Sequence, residues 1–398
     1  MMNQKVFYYE TIRPLVRRIC YFLFEVVLRI LSLLIFWVHA KPLDLGRIHK
    51  IVLIKMERVG DLVLSTPAIR AIREKFPSSR ISLIINPYTK EIIEKDPGLD
   101  EVIVYDRKSA LRSLRAKIHF IRDLRKRRFD LGIDLSTRDF FFLPVWLLYL
   151  SKAKLTLGLD NLGRGFLFNA KVKPYSKPRP LAEEILHILS PLGITTSDTK
   201  PKLFISAKDN SYIQRILKKE SIKESDFLIC IHPGGMYETQ YWRKDGYSKV
   251  TQHVISKYGA KVIFVGSQEE IELADEIISS INERPLNLVG QTSLGQLMAL
   301  ISGCHLFIGS SSGPLHIAVG LNIPTISFLG PTIPERWSPR GEKDVVFRKD
   351  LSCSPCNSGF CYRKDLACMR DIRPGEVIEA VDRQLLSTGR QLLKRNTT

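Results

Sequence analysis

The stretch HLFIGSSSGPLHIAVGLNIPTISFLGPTIPERWSP (305–339) decides the fold. Residues 305–308 are apolar and predict a strand, residues 309–314 a turn of small residues, 315–321 a short helix and 325–329 a second apolar strand. A Gly/Pro-rich loop closes the stretch. A small-residue turn feeding a helix N-terminus is suited to anions, because backbone N–H groups point outward there and the helix dipole favours negative charge. Pro314 fits the first helical turn, where no N–H is needed. Two readings stand side by side: a phosphate-binding turn and an ordinary βαβ turn. His316, one turn into the helix, would face a phosphate in the first and simply pack in the second.

Outward from this unit the same alternation continues. In the first half, strands are predicted at 50–56, 80–85, 101–105 and 130–135, with helices at 61–76, 87–95, 107–128 and 181–192. The apolar residues 139–150 suit a core helix and 171–180 a connecting loop. A domain change falls near 195–205. The second half has strands at 226–232, 261–265 and near 288, helices at 244–258, 269–280 and 294–302, then the opening stretch. A short strand (345–347), a cysteine-rich loop and a helix from 374 to about 386 follow. Such alternation predicts α/β domains with parallel sheets. The expected organisation is an N-terminal membrane-associating segment (1–48), a first Rossmann-like domain (49–200) and a second (201–398).

The chain has 398 residues, enough for two domains, and is 44% hydrophobic, enough for real cores. Its formal net charge of +19 implies an anionic partner. No RNP, zinc-finger or helix-turn-helix pattern is present, so a specific nucleic-acid partner is not expected. Seven cysteines, an odd number in a long chain, point to a reducing cytoplasm rather than a disulfide scaffold.

Residues 19–40 (ICYFLFEVVLRILSLLIFWVHA) are the most apolar segment. They read as an in-plane or re-entrant anchor, a single span, a signal peptide or a buried helix. Glu25 and Arg29 interrupt them and basic residues flank both ends. The predicted helix 107–128 carries an apolar stripe of Leu111, Leu114, Ile118, Ile121 and Leu124. Arg112, Arg115 and Arg122 lie mostly off it. They form either a solvated face or an electropositive surface for a lipid headgroup or phosphorylated acceptor.

Polar motifs sit where strands end, the place where ligands lie in open α/β sheets. Asp61, after the first strand, is either a helix N-cap or a carboxylate able to take a proton from an attacking hydroxyl. After the strand at 226–232, His232-Pro233-Gly234-Gly235 allows close backbone approach, and Glu238, Thr239, Gln240 and Arg243 follow with polar groups. Glu269, at the next strand end, could accept ribose hydroxyls or cap its helix. Cys353, Cys356, Cys361 and Cys368 have a spacing compatible with zinc, but only the first pair is CxxC, and free thiols are the other reading. The absence of GxxxxGK[ST], HExxH, GxSxG and strand-linked GxGxxG disfavours P-loop, zincin, hydrolase and dehydrogenase assignments.

Four motifs in order, KMERVGDLVLSTPAIRAIREKFP (55–77), IHPGG…YW (231–242), VIFVGSQEE (262–270) and GSSSGPLHIAVGLNIPTISFLGPTIPERWSP (309–339), resemble glycosyltransferase family 9. That family includes the ADP-heptose:lipopolysaccharide heptosyltransferases, and the tail CSPC…C…CMRDI (353–372) resembles the heptosyltransferase II-like branch. The resemblance implies a GT-B fold, two Rossmann-like domains facing across a cleft. It also implies inverting, metal-independent transfer with no cofactor, from a nucleotide-diphosphate donor such as ADP-heptose to an anionic lipid-linked glycan at the cytoplasmic face of the membrane. Asp61 matches the family's catalytic base. Gly234, Gly235, Thr239, Glu269, Ser312, Gly313 and His316 fall at donor positions. Ser311 stands where the family usually has Asp, and Gln240 where it commonly has Lys; Arg243 is the candidate to supply the missing charge. These departures motivate the other reading, a catalytically inactive nucleotide-sugar-binding or scaffold homologue at the membrane.

Overall fold

The computed structural model describes Gly46 and residues 48–395 apart from 108–112, 138–141 and 162, with side chains as far as residue 386. The apolar segment 19–40, Leu111 and Arg112 therefore lie outside the described residues. The chain divides into two compact units, Met1–Lys200 and Pro201–Thr398.

Unit 1 is a parallel sheet built from β1 (Lys50–Ile54), β2 (Arg80–Ile85), β3 (Glu101–Val104), β4 (Leu131–Asp134), β5 (Leu155–Leu159) and β6 (Ala170–Val172), in the order β3-β2-β1-β4-β5-β6. Helices α1 (Val59–Val63), α2 (Thr66–Lys75), α3 (Lys90–Ile93), α4 (Leu114–Arg127), α5 (Leu143–Ser151) and α6 (Leu181–His187) connect and follow the strands. β1 and β4 are buried almost throughout, as expected for central strands covered on both faces.

Unit 2 repeats the plan. Its strands are β7 (Leu228–His232), β8 (Lys261–Phe264), β9 (Leu286–Asn287), β10 (Leu306–Ser310), β11 (Thr325–Phe328) and β12 (Val345–Phe347). Its helices are α7 (Ala207–Lys219), α8 (Lys244–Tyr258), α9 (Ile271–Ile278), α10 (Leu294–Ser302), α11 (Gly313–Gly320), α12 (Pro334–Trp337), α13 (Ala367–Arg370) and α14 (Pro374–Arg395). The order β12-β11-β10-β7-β8-β9 is parallel throughout and, counted from the unit's own first strand, is the same 3-2-1-4-5-6 winding as unit 1. In each unit the strand order reverses between the first and fourth strands. The carboxyl ends of β1 and β4, and of β7 and β10, are thus the places where this architecture binds ligands. Trp242 stacks on Phe328 at 4.3 Å and donates from its indole to Ile372 O at 2.9 Å, which ties the core to the start of α14.

Several expectations change. The single helix expected over 61–76 is two, because Pro67 has no N–H to continue the ladder; Thr66 Oγ1 instead donates to Val63 O at 2.9 Å and the helix restarts. Asp61 lies inside the first of these, at its third position, and is not the N-cap. Residues 170–172, expected at the border of a loop, form the edge strand β6, whose lysine suits an edge. Ser206 caps the unanticipated α7 by accepting from Asp209 N at 3.0 Å. The apolar stripe of α4 buries only its C-terminal half: Leu124 is inside, while Leu114 (72%) and Ile118 (44%) are exposed. On α5 the expected core helix likewise leaves Trp146 and Tyr149 exposed. Among the described residues no helix is long and apolar enough to cross a membrane.

Candidate functional site

The opening stretch folds as β10, a turn, α11 and β11. Ser312 is the N-cap residue of α11 with extended backbone, Gly313 is the first helical residue and Pro314 the second. First-turn N–H groups of a helix have no intrahelical partner, so this turn offers donors and a positive dipole end at the β7/β10 switch point. Ser311 N–H donates to Phe328 O at 3.2 Å, which seats the turn on the sheet.

A buried polar relay lies beneath the turn. Ser312 Oγ is 3.1 Å from His232 Nδ1, and His232 Nε2 is 3.3 Å from Glu270 Oε2. Glu270 also accepts from Ser267 N at 2.7 Å and Ser267 Oγ at 3.1 Å. The three loops that follow β7, β8 and β10 are joined by these three side chains. Burial alone would raise the Glu270 carboxyl. The hydrogen bond and charge interaction with His232 and the bonds from Ser267 outweigh it, and hold the group down at about 2. A Cβ on Gly234 would lie 1.7 Å from Glu270 Oε1, so the glycine there makes room for this carboxylate. Packing inside the protein thus requires glycine at 234, in addition to the close ligand approach expected from sequence.

The other expected donor residues are placed as follows. Gly235 stands beside Gln240, its hypothetical Cβ 3.2 Å from that side chain. Gln240 accepts from Met236 N at 3.0 Å and donates to Thr332 Oγ1 at 3.3 Å, closing its own loop. The Thr239 hydroxyl donates to Ser358 O at 2.9 Å in the cysteine-rich loop. Arg243 holds Asp245 through two contacts of 2.7 and 2.9 Å and reaches Arg370 O at 3.4 Å, so its charge is already matched. The same pairing holds the Asp245 carboxyl at about 2. Glu269 is exposed, and Glu270 is the glutamate that turns inward. The missed signal was present: Ser267-x-x-Glu270 is a capping-box pattern, which fixes which of the two adjacent glutamates folds back. His316 is buried against Trp337, ring centroids 5.6 Å apart, and burial pushes its imidazole down to about 4. It is neutral near pH 7 and brings no positive charge to the turn.

In unit 1 the switch point carries a buried set of charges that hydrophobic periodicity did not reveal. Lys55 Nζ is 2.5 Å from Glu57 Oε2 and donates to Leu135 O at 2.9 Å. Arg164 donates to Asp134 Oδ2 at 2.8 Å and Ser136 O at 2.9 Å, with both side chains fully buried. Burial raises the Asp134 carboxyl, against the pull of Arg164. Asp61, 2% exposed, follows β1 on α1 and accepts from Arg58 N at 3.3 Å. This is a carboxylate held by its own helical turn at the carboxyl end of the central strand. Arg115 and Arg122 are exposed on α4.

Two doubly wound parallel α/β units, each with polar turns at its switch point, have the architecture in which ligands lie at those strand ends. The profile of "Glycosyltransferase family 9 (heptosyltransferase)" matches residues 117–366, and the chain belongs to that family. It is therefore a glycosyltransferase that uses a nucleotide sugar. It is 27% identical over 297 residues to lipopolysaccharide heptosyltransferase 3 of Escherichia coli (strain K12), covering 72% of this chain and 84% of that protein. In fold it is similar to a glycosyl transferase family 9 protein from Veillonella parvula DSM 2008, with TM-score 0.76, 23% identity and coverage of 88% and 100%. It is also similar to E. coli heptosyltransferase WaaC, solved with ADP, with TM-score 0.65, 16% identity and coverage of 84% and 99%. Membership of an enzyme family does not favour the inactive-scaffold reading.

Proposed function

We propose that the chain transfers a heptose from a nucleotide-diphosphate donor, ADP-heptose, to a lipopolysaccharide core or related lipid-linked glycan, with inversion at the anomeric carbon. The observation that carries this reading is the arrangement at the two switch points. A buried carboxylate, Asp61, follows β1, and a helix N-terminus seated on the Ser312–His232–Glu270 relay follows β10. The ADP in the similar WaaC structure and the heptosyltransferase names of the relatives support the donor and acceptor class.

In this mechanism Asp61 takes the proton of the acceptor hydroxyl as its oxygen attacks the anomeric carbon. The nucleotide diphosphate leaves on the opposite face. Its charge is met by the first-turn N–H groups at Ser312 and Gly313 and by the dipole of α11. Ser311 and His316 line the same turn as neutral groups. Gly234, Gly235, Thr239 and Arg243 shape the neighbouring loop, and exposed Glu269 is available to ribose hydroxyls. The scheme uses no cofactor. Arg112, Arg115 and Arg122 draw the anionic acceptor to unit 1, and unit 2 holds the donor. Residues 1–48 keep the enzyme at the cytoplasmic face of the membrane.

The test is Asp61→Asn. Turnover is expected to fall by about 10²–10⁴-fold, the usual contribution of a general base, with ADP affinity by calorimetry unchanged. Near-normal turnover sinks the base assignment. A thermal-shift screen across nucleotide diphosphates identifies the donor base, because only a ligand of the native state raises its stability.

A further inference from the structure

The crossovers β3–α4–β4 and β4–α5–β5 run the same way along the strand order, so right-handed connections place α4 and α5 on one face of the unit 1 sheet. Leu124 of α4 and Val145, Leu147 and Leu148 of α5 share the core beneath them, and Arg125 Nε donates to Leu150 O at 2.8 Å. On α4, Leu114 and Ile118 lie on the stripe that leads, turn by turn, to Arg125. On α5, Trp146 stands one turn before Leu150. Crossovers between parallel strands carry both helices in the same direction, so the two stripes form one seam. Leu114 is 72% exposed, and Ile118 and Trp146 are 44% exposed each. Single exposed apolar residues are ordinary; an aromatic and two aliphatic side chains along one seam mark an interaction surface.

The border of the seam is basic. α4 carries six Lys and Arg residues and one Asp, and that residue, Asp123, is held by Arg127 at 3.1 Å. Arg115, Arg122, Arg125 and Lys126 are exposed, and α5 has no charged residue. The chain enters unit 1 beside this helix. Lys50 Nζ donates to Arg127 O at 3.2 Å, and His49 N and Lys50 N each donate to Asp130 Oδ2 at 2.9 Å. Residues 41–49, between the apolar segment 19–40 and β1, reach at most about 30 Å when extended. The 14 residues of α4 measure about 21 Å. A surface that takes up residues 19–40 is thus within reach of the whole of α4. Charge selects the occupant of the seam. A second copy of a chain of net charge +19 adds more positive charge, and residues 19–40 offer one Glu against one Arg. An anionic lipid surface supplies both apolar depth and negative charge.

We propose that the α4–α5 seam docks on an anionic phospholipid bilayer. Leu114, Ile118 and Trp146 enter the boundary between headgroups and acyl chains, and the cations of α4 lie among the lipid phosphates. Tryptophan suits that depth because its ring is apolar and its N–H polar. The Arg and Lys stems stay on apolar surface while their charged ends reach the phosphates. The inference deepens the membrane location proposed for residues 1–48 and rests on that reading. It gives the folded unit its own lipid contact and fixes which side of unit 1 meets the membrane.

The full chain is mixed with vesicles of phosphatidylcholine, with and without phosphatidylglycerol. Anionic lipid should tighten binding in sedimentation by about fivefold for each basic residue engaged, and high salt should remove that gain. Leu114→Ser with Ile118→Ser should weaken binding to anionic vesicles by about tenfold or more. The unfolding midpoint of that variant should not move, since both side chains are exposed. Trp146 gives the local readout. Brominated lipid should quench the emission component that Trp146→Phe removes, and the other tryptophans cancel in that difference. A vesicle-bound chain whose Trp146 component is unquenched overturns the proposal and leaves residues 1–48 as the whole attachment. Binding indifferent to phosphatidylglycerol overturns it too, as does undiminished binding of the double serine variant. A Trp146 component shielded from acrylamide before lipid is added assigns the seam to another segment of the chain, and a dimer in ultracentrifugation that the double serine variant dissolves assigns it to a second copy; either overturns the proposal. Vesicle binding is read without a transfer assay, so its failure is distinguishable from failure of the proposed reaction, and Trp146 quenching separates failure of the seam from failure of residues 1–48.

Discussion

Replacing Glu270 by Gln tests the relay under the donor turn. The substitution keeps the shape and removes the charge. The carboxyl is held at about 2 against an ordinary 4.5, which corresponds to about 3 kcal/mol of preference for the ionised form. The glutamine amide still accepts one bond from Ser267, so the expected loss at pH 7 is about 2 kcal/mol. For a unit of this size that lowers the midpoint of unit 2 by about 4–8 °C. The sign follows from the depressed value: the contribution is complete above 4.5 and disappears as pH falls from 4.5 to about 2. Calorimetric scans of wild type and Glu270→Gln across that window should therefore converge on acidification. Asp245 and Asp382 titrate in both proteins and cancel in the difference. Glu269→Gln, one residue away and exposed, should leave the midpoint where it is. Equal effects at 269 and 270, or a wild-type–variant gap that does not close at low pH, would refute the relay.

Arg164→Ala strands the buried Asp134 carboxylate and should destabilise unit 1 by about 3–5 kcal/mol in urea unfolding; adding Asp134→Leu should recover part of it. Gly234→Ala places a methyl inside the Glu270 carboxylate, so about 1–3 kcal/mol of overpacking is expected, with weaker ADP binding by calorimetry. Removing the glutamate side chain in Gly234→Ala/Glu270→Ala should relieve the clash, but not restore the relay. Arg115→Glu with Arg122→Glu should raise the acceptor KM about tenfold or more in kinetic assays at low salt, with little change in kcat or Tm, since both side chains are exposed.

The α/β alternation, the βαβ unit at 305–339 and the family resemblance were legible from apolar runs and turn residues. Those signals are local: a strand buried on both faces is apolar along most of its length, and β7 (Leu228–Ile231) and β10 (Leu306–Ile308) are apolar up to the polar residues at their carboxyl ends. Asp61, the Gly234-Gly235 pair and the Ser-rich turn stood out for the same reason, because each lies in the connection that leaves such a strand. Element boundaries failed where a side chain competed with the backbone, as at Thr66 and Pro67. Exposure along α4 failed because periodicity gives a face without saying whether anything covers it, and Leu114 and Ile118 are uncovered at the surface of their helix.

The strand order and the partners of the polar residues were decided by tertiary structure. Nothing in a single run of residues says that β10 lies beside β7, and that adjacency brings Ser312 to His232 across 80 positions of chain. The inward glutamate, the pairing of Arg164 with Asp134 and the convergence of four cysteines on one cavity are likewise contacts between segments. Sequence supplied the chemical groups and the strand ends that carry them. Their hydrogen-bond partners, and hence which charges are already matched, depended on the register in which separate strands pair.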